Sequence, residues 1–225
     1  KVEGEWISAA QIASDPYQWD AKFRLVTIRE AVRNNDPVTA LRTYEILEKK
    51  EPGSRVMPDA LKLALTELDK LEARVFKALA DLEVIEKRRQ KALSISTSDQ
   101  AREVREGLEK ENAIAREMAR GVELDGTKFV PVFPNTKESL DALELVIKNE
   151  RARLTQLRKT PMRESLDHTR DAQRLLASGN PEGAKAQITE AEKLWPANAD
   201  LATLKRRAEE LSNAPSPTNT PATAP

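Results

Sequence analysis

The chain has 225 residues, of which 39% are apolar, 33% are charged and only 4% are aromatic. Lysine plus arginine equals aspartate plus glutamate at 37 each, so no net field attracts nucleic acid or an anionic membrane. The absence of cysteine excludes disulfides, thiolate metal sites and cysteine nucleophiles, and no apolar run approaches the roughly 18 residues of a membrane helix.

The first predicted helix begins at Asp15 and Pro16, because aspartate can cap a helix and proline is favoured at its first position. It extends to about residue 34 and carries Tyr17, Trp19 and Phe23, with Trp6 preceding it. Two interpretations of these rings remain open: they form a partner-docking surface, or they seal the open end of a helical array. The second interpretation is favoured, and the first defines candidate partner-binding residues.

A second helix is predicted after Asp36-Pro37 and ends at Glu51-Pro52-Gly53. The two helices of about fourteen residues, their tight turn and the closing proline resemble a tetratricopeptide (TPR) repeat. The residues that carry the resemblance are Ala40, Tyr44, Leu47 and Pro52. At one position the chain departs from the family, since Ile28 stands where a small residue is usual.

The same frame recurs near the C terminus. Aligning Pro52 with Pro196 places Ala40 against Ala184, and Tyr44 of the first hairpin against an isoleucine of the second. The TPR-like hairpins therefore cover 15–53 and 162–211, and the second includes a capping helix over about 199–211. Because the concave face of that family binds extended peptides or partner helices, the resemblance implies a protein partner.

Long helical arms are predicted between the two hairpins, over 58–159. Residues 58–93 contain no glycine and no proline after the first residue, and their apolar residues alternate at spacings of four and three. Such a seam requires a partner helix, and similar seams follow over 99–123 and 137–159. We therefore predict an antiparallel coiled-coil-like insertion of three arms, the third starting with a capping box of Asn135 and Glu138.

Residues 125–135 are the only stretch that predicts extended backbone. Two prolines make it rigid, and Phe129 and Phe133 make it apolar. It is either an exposed docking strand or a strap packed across the helices. The strap is favoured, because exposing two phenylalanines and two valines together would promote association.

Four glutamates at seam positions are the strongest candidates for chemistry. Facing carboxylates can hold metal ions in four-helix proteins, but those sites also require Glu-x-x-His pairs. The only histidine, His168, has Ser165 at that spacing, so the pattern favours ion-paired or solvated glutamates and no cofactor. No nucleophile elbow or glycine-rich phosphate loop occurs, so we expect a protein that is not an enzyme. The four glutamates are Glu72, Glu86, Glu111 and Glu150.

The sequence thus predicts an all-α protein with TPR-like helical hairpins flanking a long antiparallel coiled-coil-like helical insertion. We expect a single elongated domain over 1–211 and a disordered Pro/Thr-rich tail over 212–225. The expected function is a non-enzymatic protein-interaction or scaffolding module that binds a protein partner or itself, with no nucleic acid and no membrane insertion. The alternative is a structural spacer or a self-assembling coiled-coil subunit. The candidate partner-binding residues are Trp6, Tyr17, Trp19, Phe23, Tyr44, Phe129 and Phe133.

The order of these features also resembles the helical C-terminal parts of exported bacterial proteins of the PTPDL family. The Pro-Thr-Pro-Asp-Leu motif itself is not in this chain. The resemblance implies an extracytoplasmic location, periplasmic or secreted. The Pro/Thr-rich tail and the absence of an initial methionine favour that location, and a cytoplasmic one remains open.

Overall fold

The computed structural model describes residues 6–95, 97–125, 128–129 and 137–213. Within these ranges the regular structure consists of nine α-helices and no β-strand. The chain divides into two compact units: unit 1 contains Lys1–Glu51 and Val56–Lys159, and unit 2 contains Pro52–Arg55 and Thr160–Pro225. Where the sequence predicted one elongated domain over 1–211, the helices are thus organised around two cores. The predicted tail lies outside the described residues from 214 onward.

Unit 1 contains the first six of these helices. At the starts of α2 and α3, Pro16 and Pro37 occupy the first helical turn, as predicted. The side chains of Asp15 and Asp36 each accept a hydrogen bond from the backbone N–H three residues further on, which confirms both caps. The helices are α1 (Ala9–Ser14), α2 (Pro16–Arg33), α3 (Pro37–Lys50), α4 (Met57–Ile95), α5 (Ser98–Asp125) and α6 (Lys137–Leu157).

The long predicted helix is α4, whose 39 residues correspond to a length of about 58 Å. Its predicted seam faces the core, with Leu61, Leu68, Val75 and Leu82 buried and with Leu65 and Leu79 partly buried. Charged residues occur along the rest of α4. None of the described helices is long and apolar enough to cross a membrane.

The seam of α4 is covered chiefly by α3 and α6, with α2 contributing at one side. Few residues of α4 lie close to residues of α5, although the sequence predicted that these two helices pack against each other. Of the predicted α5 seam, the described side chains include only Val104, which is partly buried. Asn135 lies outside the described residues and the side chain of Glu138 is not among those described, so the capping box stays a prediction.

The helices of unit 1 therefore pair as hairpins, α2 with α3 and α4 with α6. In the sequence, helix α5 lies between α4 and α6. The packing of α3 on α4 joins one pair to the next. These helical hairpins are compatible with a TPR-like all-helical arrangement.

Unit 2 is built from α7 (Met162–Ala177), α8 (Pro181–Leu194) and α9 (Asp200–Asn213). The turn before α8 contains Gly179, whose φ of 76° lies in the left-handed region, and Asn180 caps α8 by accepting a hydrogen bond from the N–H of Gly183 at 2.9 Å. Small residues let the three helices approach closely. The core residues are Ala172, Leu176, Ala184, Ile188, Ala191, Leu201, Leu204 and Ala208.

The segment Pro52–Arg55 also belongs to unit 2 and lies against the turn before α9. The N–H of Ala199 donates to the carbonyl oxygen of Gly53 at 3.0 Å. A Cβ added at Gly53 would lie 1.9 Å from the carbonyl oxygen of Ala197, which is far inside van der Waals contact. Glycine is therefore required at this position by the close approach of two backbones.

We predict that Gly53→Ala destabilises the protein by about 1–3 kcal/mol or more, because the backbone must move to admit the methyl group. The matched control is Gly107→Ala in α5, where an added Cβ meets nothing within 4 Å. That substitution should stabilise by about 0.5–1 kcal/mol, since alanine favours the helix. Urea unfolding followed by circular dichroism measures both, and equal effects of the two substitutions would contradict the close contact at Gly53.

Candidate functional site

Two of the predicted partner-binding residues lie in the interior of unit 1. Tyr44 and Phe129 are each only 1% exposed, because they fill the space between neighbouring elements. They therefore belong to the core and are not part of a partner-binding surface in this structure. Phe133 lies outside the described residues.

The remaining candidates are the four aromatic residues at the N-terminal end. Trp6 is 84% exposed and Phe23 is 38% exposed, whereas Tyr17 and Trp19 are partly buried. Tyr17 and Trp19 are two residues apart on α2, so their side chains point in directions about 160° apart around the helix. The structure therefore does not gather all four rings into one patch.

Trp19 and Phe23 are brought together by their spacing of four residues on α2. Their ring centroids are 6.3 Å apart and the ring planes are inclined by 39°. The Lys22 Nζ atom lies 4.1 Å from the Trp19 ring centroid, a cation–π contact that helps to orient the indole. We name Trp19, Lys22 and Phe23 the α2 aromatic surface.

The described part of the predicted strap is fixed to α3. The Nε of Arg42 donates to the carbonyl oxygen of Phe129 at 2.8 Å, and the N–H of Lys128 donates to Oε2 of Glu45 at 2.9 Å. With Phe129 buried beneath, these contacts favour a packed strap over an exposed docking strand at residues 128–129.

A cluster of three carboxylates surrounds this attachment, formed by Glu45, Glu48 and Glu150. Nζ of Lys128 lies 2.9 Å from Oε2 of Glu150. The Arg153 guanidinium donates both to Glu150 and to Glu48, at 2.7 Å for the Nη1–Oε1 bond to Glu48. The carboxylate cluster therefore joins α6 to α3 through two cations.

The same surroundings shift the pKa values of Glu45 and Glu150 in opposite directions. Burial raises the pKa of Glu45, and the hydrogen bond from the Lys128 backbone only partly offsets it. Burial also acts to raise the pKa of Glu150, but hydrogen bonds from Arg153 and Lys128 outweigh it and hold that pKa below its ordinary value. The surroundings thus destabilise the ionised form of Glu45 and stabilise the ionised form of Glu150.

The glutamates that the sequence proposed as possible metal ligands are paired with cations. Glu72 accepts from Arg151 at 2.6 Å and Glu86 from Arg89 at 3.0 Å, and Glu150 belongs to the carboxylate cluster. The side chain of Glu111 lies outside the described residues. Among the described side chains, no group of three or more histidine, aspartate or glutamate residues is placed to hold a metal ion.

A buried polar network in unit 2 involves the serine and threonine of α7. Asn198 donates to Thr169 Oγ1 at 2.9 Å and to Ser165 Oγ at 3.2 Å, and Ser165 itself donates to the carbonyl oxygen of Ala191 at 2.8 Å. The Asp200 N–H donates to Asn198 Oδ1 at 3.1 Å. The network therefore satisfies buried polar groups of α7 and of the turn before α9.

His168 lies beside this network on α7. Its Nδ1 atom is 2.7 Å from the amide oxygen of Gln187 on α8, and the ring is partly buried. The contact joins α7 to α8 within unit 2. The only histidine of the chain is thus hydrogen-bonded to an amide and not to a carboxylate.

Comparison of the chain with protein-family models, with curated proteins and with solved structures finds no match. The class of protein is therefore defined by the structure itself, as an all-α arrangement of helical hairpins.

Two features escaped the sequence analysis. Glu67 is fully buried on α4, where one oxygen pairs with Lys70 at 2.6 Å and the other has no hydrogen bond within the described part of the chain. The second feature is the bidentate pair of Arg55 and Asp200, at 2.7 and 2.8 Å. The spacing of three residues between Glu67 and Lys70 indicates an ion pair on one side of a helix. No local pattern links positions 55 and 200.

We predict that at neutral pH Glu150→Gln lowers the stability of the protein, whereas Glu45→Gln leaves it unchanged or raises it. Glu150→Gln should lower the free energy of unfolding by about 1–3 kcal/mol, because it weakens bonds to two cations. Glu45→Gln keeps an acceptor for the Lys128 N–H and removes a desolvated charge, so stability should be unchanged or higher. Urea unfolding across a pH series measures both differences.

The pH dependence of the free energy of unfolding follows from the pKa shifts of Glu45 and Glu150. Ionised Glu150 contributes stability above about pH 4.5, and this contribution is lost as the pH falls through its lowered folded-state pKa. Glu45 favours the folded state while protonated, and that contribution is lost as the pH rises through its raised pKa. Both variants should therefore converge on wild type in acid, and effects of equal sign at neutral pH would contradict the assignment.

We also predict that Asn198→Ala destabilises the protein by about 1–3 kcal/mol, because it leaves the buried N–H of Asp200 without its acceptor. The control is Asn149→Ala, at an exposed position of α6, which should change the free energy of unfolding by no more than about 0.5 kcal/mol. Thermal unfolding followed by circular dichroism compares the two. An effect of Asn198→Ala no larger than that of the control would mean that the network is not stabilising.

Proposed function

We propose that the chain is a non-enzymatic protein-interaction or scaffolding module, and that it binds a protein partner through the α2 aromatic surface. The observation that supports this proposal is the Trp19–Phe23 ring pair, which is ordered by a ring contact and a cation yet retains accessible area. Tryptophan and other aromatic residues supply much of the binding energy of protein interfaces.

The partner is an extended peptide or a helix that presents an apolar side chain to the two rings. The TPR-like arrangement of hairpins supports this choice, since the resemblance implies binding of such segments. Lys22 adds a preference for a carboxylate beside the apolar anchor, because its ammonium group is already held over the Trp19 ring. The largely exposed Trp6 precedes α1 and offers further contact area.

A non-enzymatic role agrees with the state of the titratable side chains in the two units. The two carboxylates of the cluster with shifted pKa, Glu45 and Glu150, hold the strap and α6 in place. His168 and Ser165 are engaged in contacts within unit 2. Each of these groups has a packing role that accounts for its environment.

We also propose an extracytoplasmic location, supported by the resemblance to exported proteins and by the Pro/Thr-rich composition of residues 212–225. Fractionation of cells that express the full-length natural protein with an epitope tag would test it. Recovery of the tag with cytoplasmic markers alone would contradict this proposal without affecting the proposed interaction.

The interaction is tested by selecting a displayed random peptide library on the full chain. We expect the selected peptides to share an apolar anchor, and Trp19→Ala to weaken their binding by about tenfold or more, the effect of losing an interface hot spot. Leu145→Ala is the matched control, since Leu145 is an exposed apolar residue on α6 of the same unit. Isothermal titration calorimetry gives the dissociation constants.

The alternative function, a structural spacer, predicts a different result. In that case no peptide family is enriched, or the enriched peptides bind the Trp19→Ala variant as well as wild type. Either outcome would overturn the proposal, provided that circular dichroism shows the variant to be folded.

A further inference from the structure

The outer part of α4 presents a stripe of exposed residues on one side of the helix. Their spacings of seven, four, three and four residues keep them within a narrow sector of the helix surface. No ion pair among the described residues involves the three cations of this stripe. The basic stripe consists of Lys77, Val84, Arg88, Lys91 and Ile95, all exposed.

Helix α5 presents a stripe of the opposite charge. Its residues follow one another at spacings of four, three, four and four, again on one side of the helix. Within the described side chains, Asp99 and Glu106 pair with the exposed Arg102, at 3.7 and 3.8 Å, in surface pairs that are worth little and are readily exchanged. The acidic stripe consists of Asp99, Glu103, Glu106, Lys110 and Ile114, all exposed, and its net charge is negative because three carboxylates outweigh one ammonium.

The two stripes do not cover each other within one chain. Both are exposed in the same structure, and close approach between α4 and α5 is sparse. Each stripe also exposes large apolar side chains, Val84 and Ile95 on α4 and Ile114 on α5. Apolar residues exposed within a charged surface are typical of interaction sites.

The charges favour one occupant over the others. A nucleic acid or an anionic membrane would be attracted by the basic stripe but repelled by the neighbouring acidic stripe, and neither would account for Ile114. A second copy of the chain carries a complement to both stripes. In a two-fold symmetric dimer, α4 of each copy meets α5 of the other, so the same contact forms twice.

We propose that two copies of the chain associate through these stripes, with the basic stripe of each copy against the acidic stripe of the other. The four helices then form a bundle whose helix pairs match in charge and in apolar residues. This association uses α4 and α5 and is independent of the α2 aromatic surface. A dimer would present two such surfaces and so bind a bivalent partner more tightly.

Charge reversal tests the proposal by sedimentation equilibrium on the full chain. The first variant carries Lys77→Glu, Arg88→Glu and Lys91→Glu, and the second carries Glu103→Lys and Glu106→Lys. Each alone should raise the dimer dissociation constant by about tenfold or more, because like charges then face each other. An equimolar mixture of the two variants should restore a dimer, since each reversed stripe meets its complement on the other chain.

The matched control reverses Arg174, Arg206 and Arg207 to glutamate, three exposed cations of unit 2, and should leave the dissociation constant unchanged. Circular dichroism checks that every variant is folded. A wild-type chain that remains monomeric at all concentrations overturns the proposal. So does a mixture that fails to dimerise while a chain carrying all five reversals regains wild-type stability, because that result places the pairing within one chain.

Discussion

The apolar stripe of α4 is the surface against which α2, α3 and α6 are packed. Burying a leucine-sized side chain contributes about 1.5–3 kcal/mol, so this one stripe gathers much of the stabilisation available to a chain with few aromatics. Alanines in the stripe let neighbouring helices approach α4 closely. Its buried members are Met57, Ala60, Leu61, Ala64, Leu68, Leu71, Val75, Ala78 and Leu82.

Charged residues at the borders of this core determine how the helices are aligned. Arg151 bonds to Asp69 and Glu72 and so fixes the position of α6 along α4, while Arg153 bonds to Glu48 and links α6 to α3. Ion pairs that remain accessible to solvent add little stability one at a time. Their geometry nevertheless penalises a shifted register, because a slip of one turn would leave the carboxylates without partners. The balanced composition of the chain is consistent with this use of charge.

Local signals in the sequence predicted the helices well, because caps and apolar spacings act over a few residues. Asp15 and Asp36 cap helices where expected, and the α4 seam is buried. The choice of partner was less predictable, since a seam indicates that a helix packs but not which helix covers it. For the same reason the candidate rings divided between the core, which holds Tyr44, and the surface, where Phe23 remains accessible. The burial of Glu67 depends on tertiary contacts that no local pattern contains.

The segment Pro52–Arg55 has a consequence for the order in which the protein is made. It connects two helices of unit 1 but belongs to unit 2, where Arg55 pairs with Asp200 across 145 positions of the chain. At synthesis rates of about 5–20 residues per second, Asp200 is synthesised roughly 7 to 30 seconds after Arg55. During that interval the synthesis of unit 1 is completed before the synthesis of unit 2. The connection between α3 and α4 is thus exposed to proteases and chaperones until the last helix emerges.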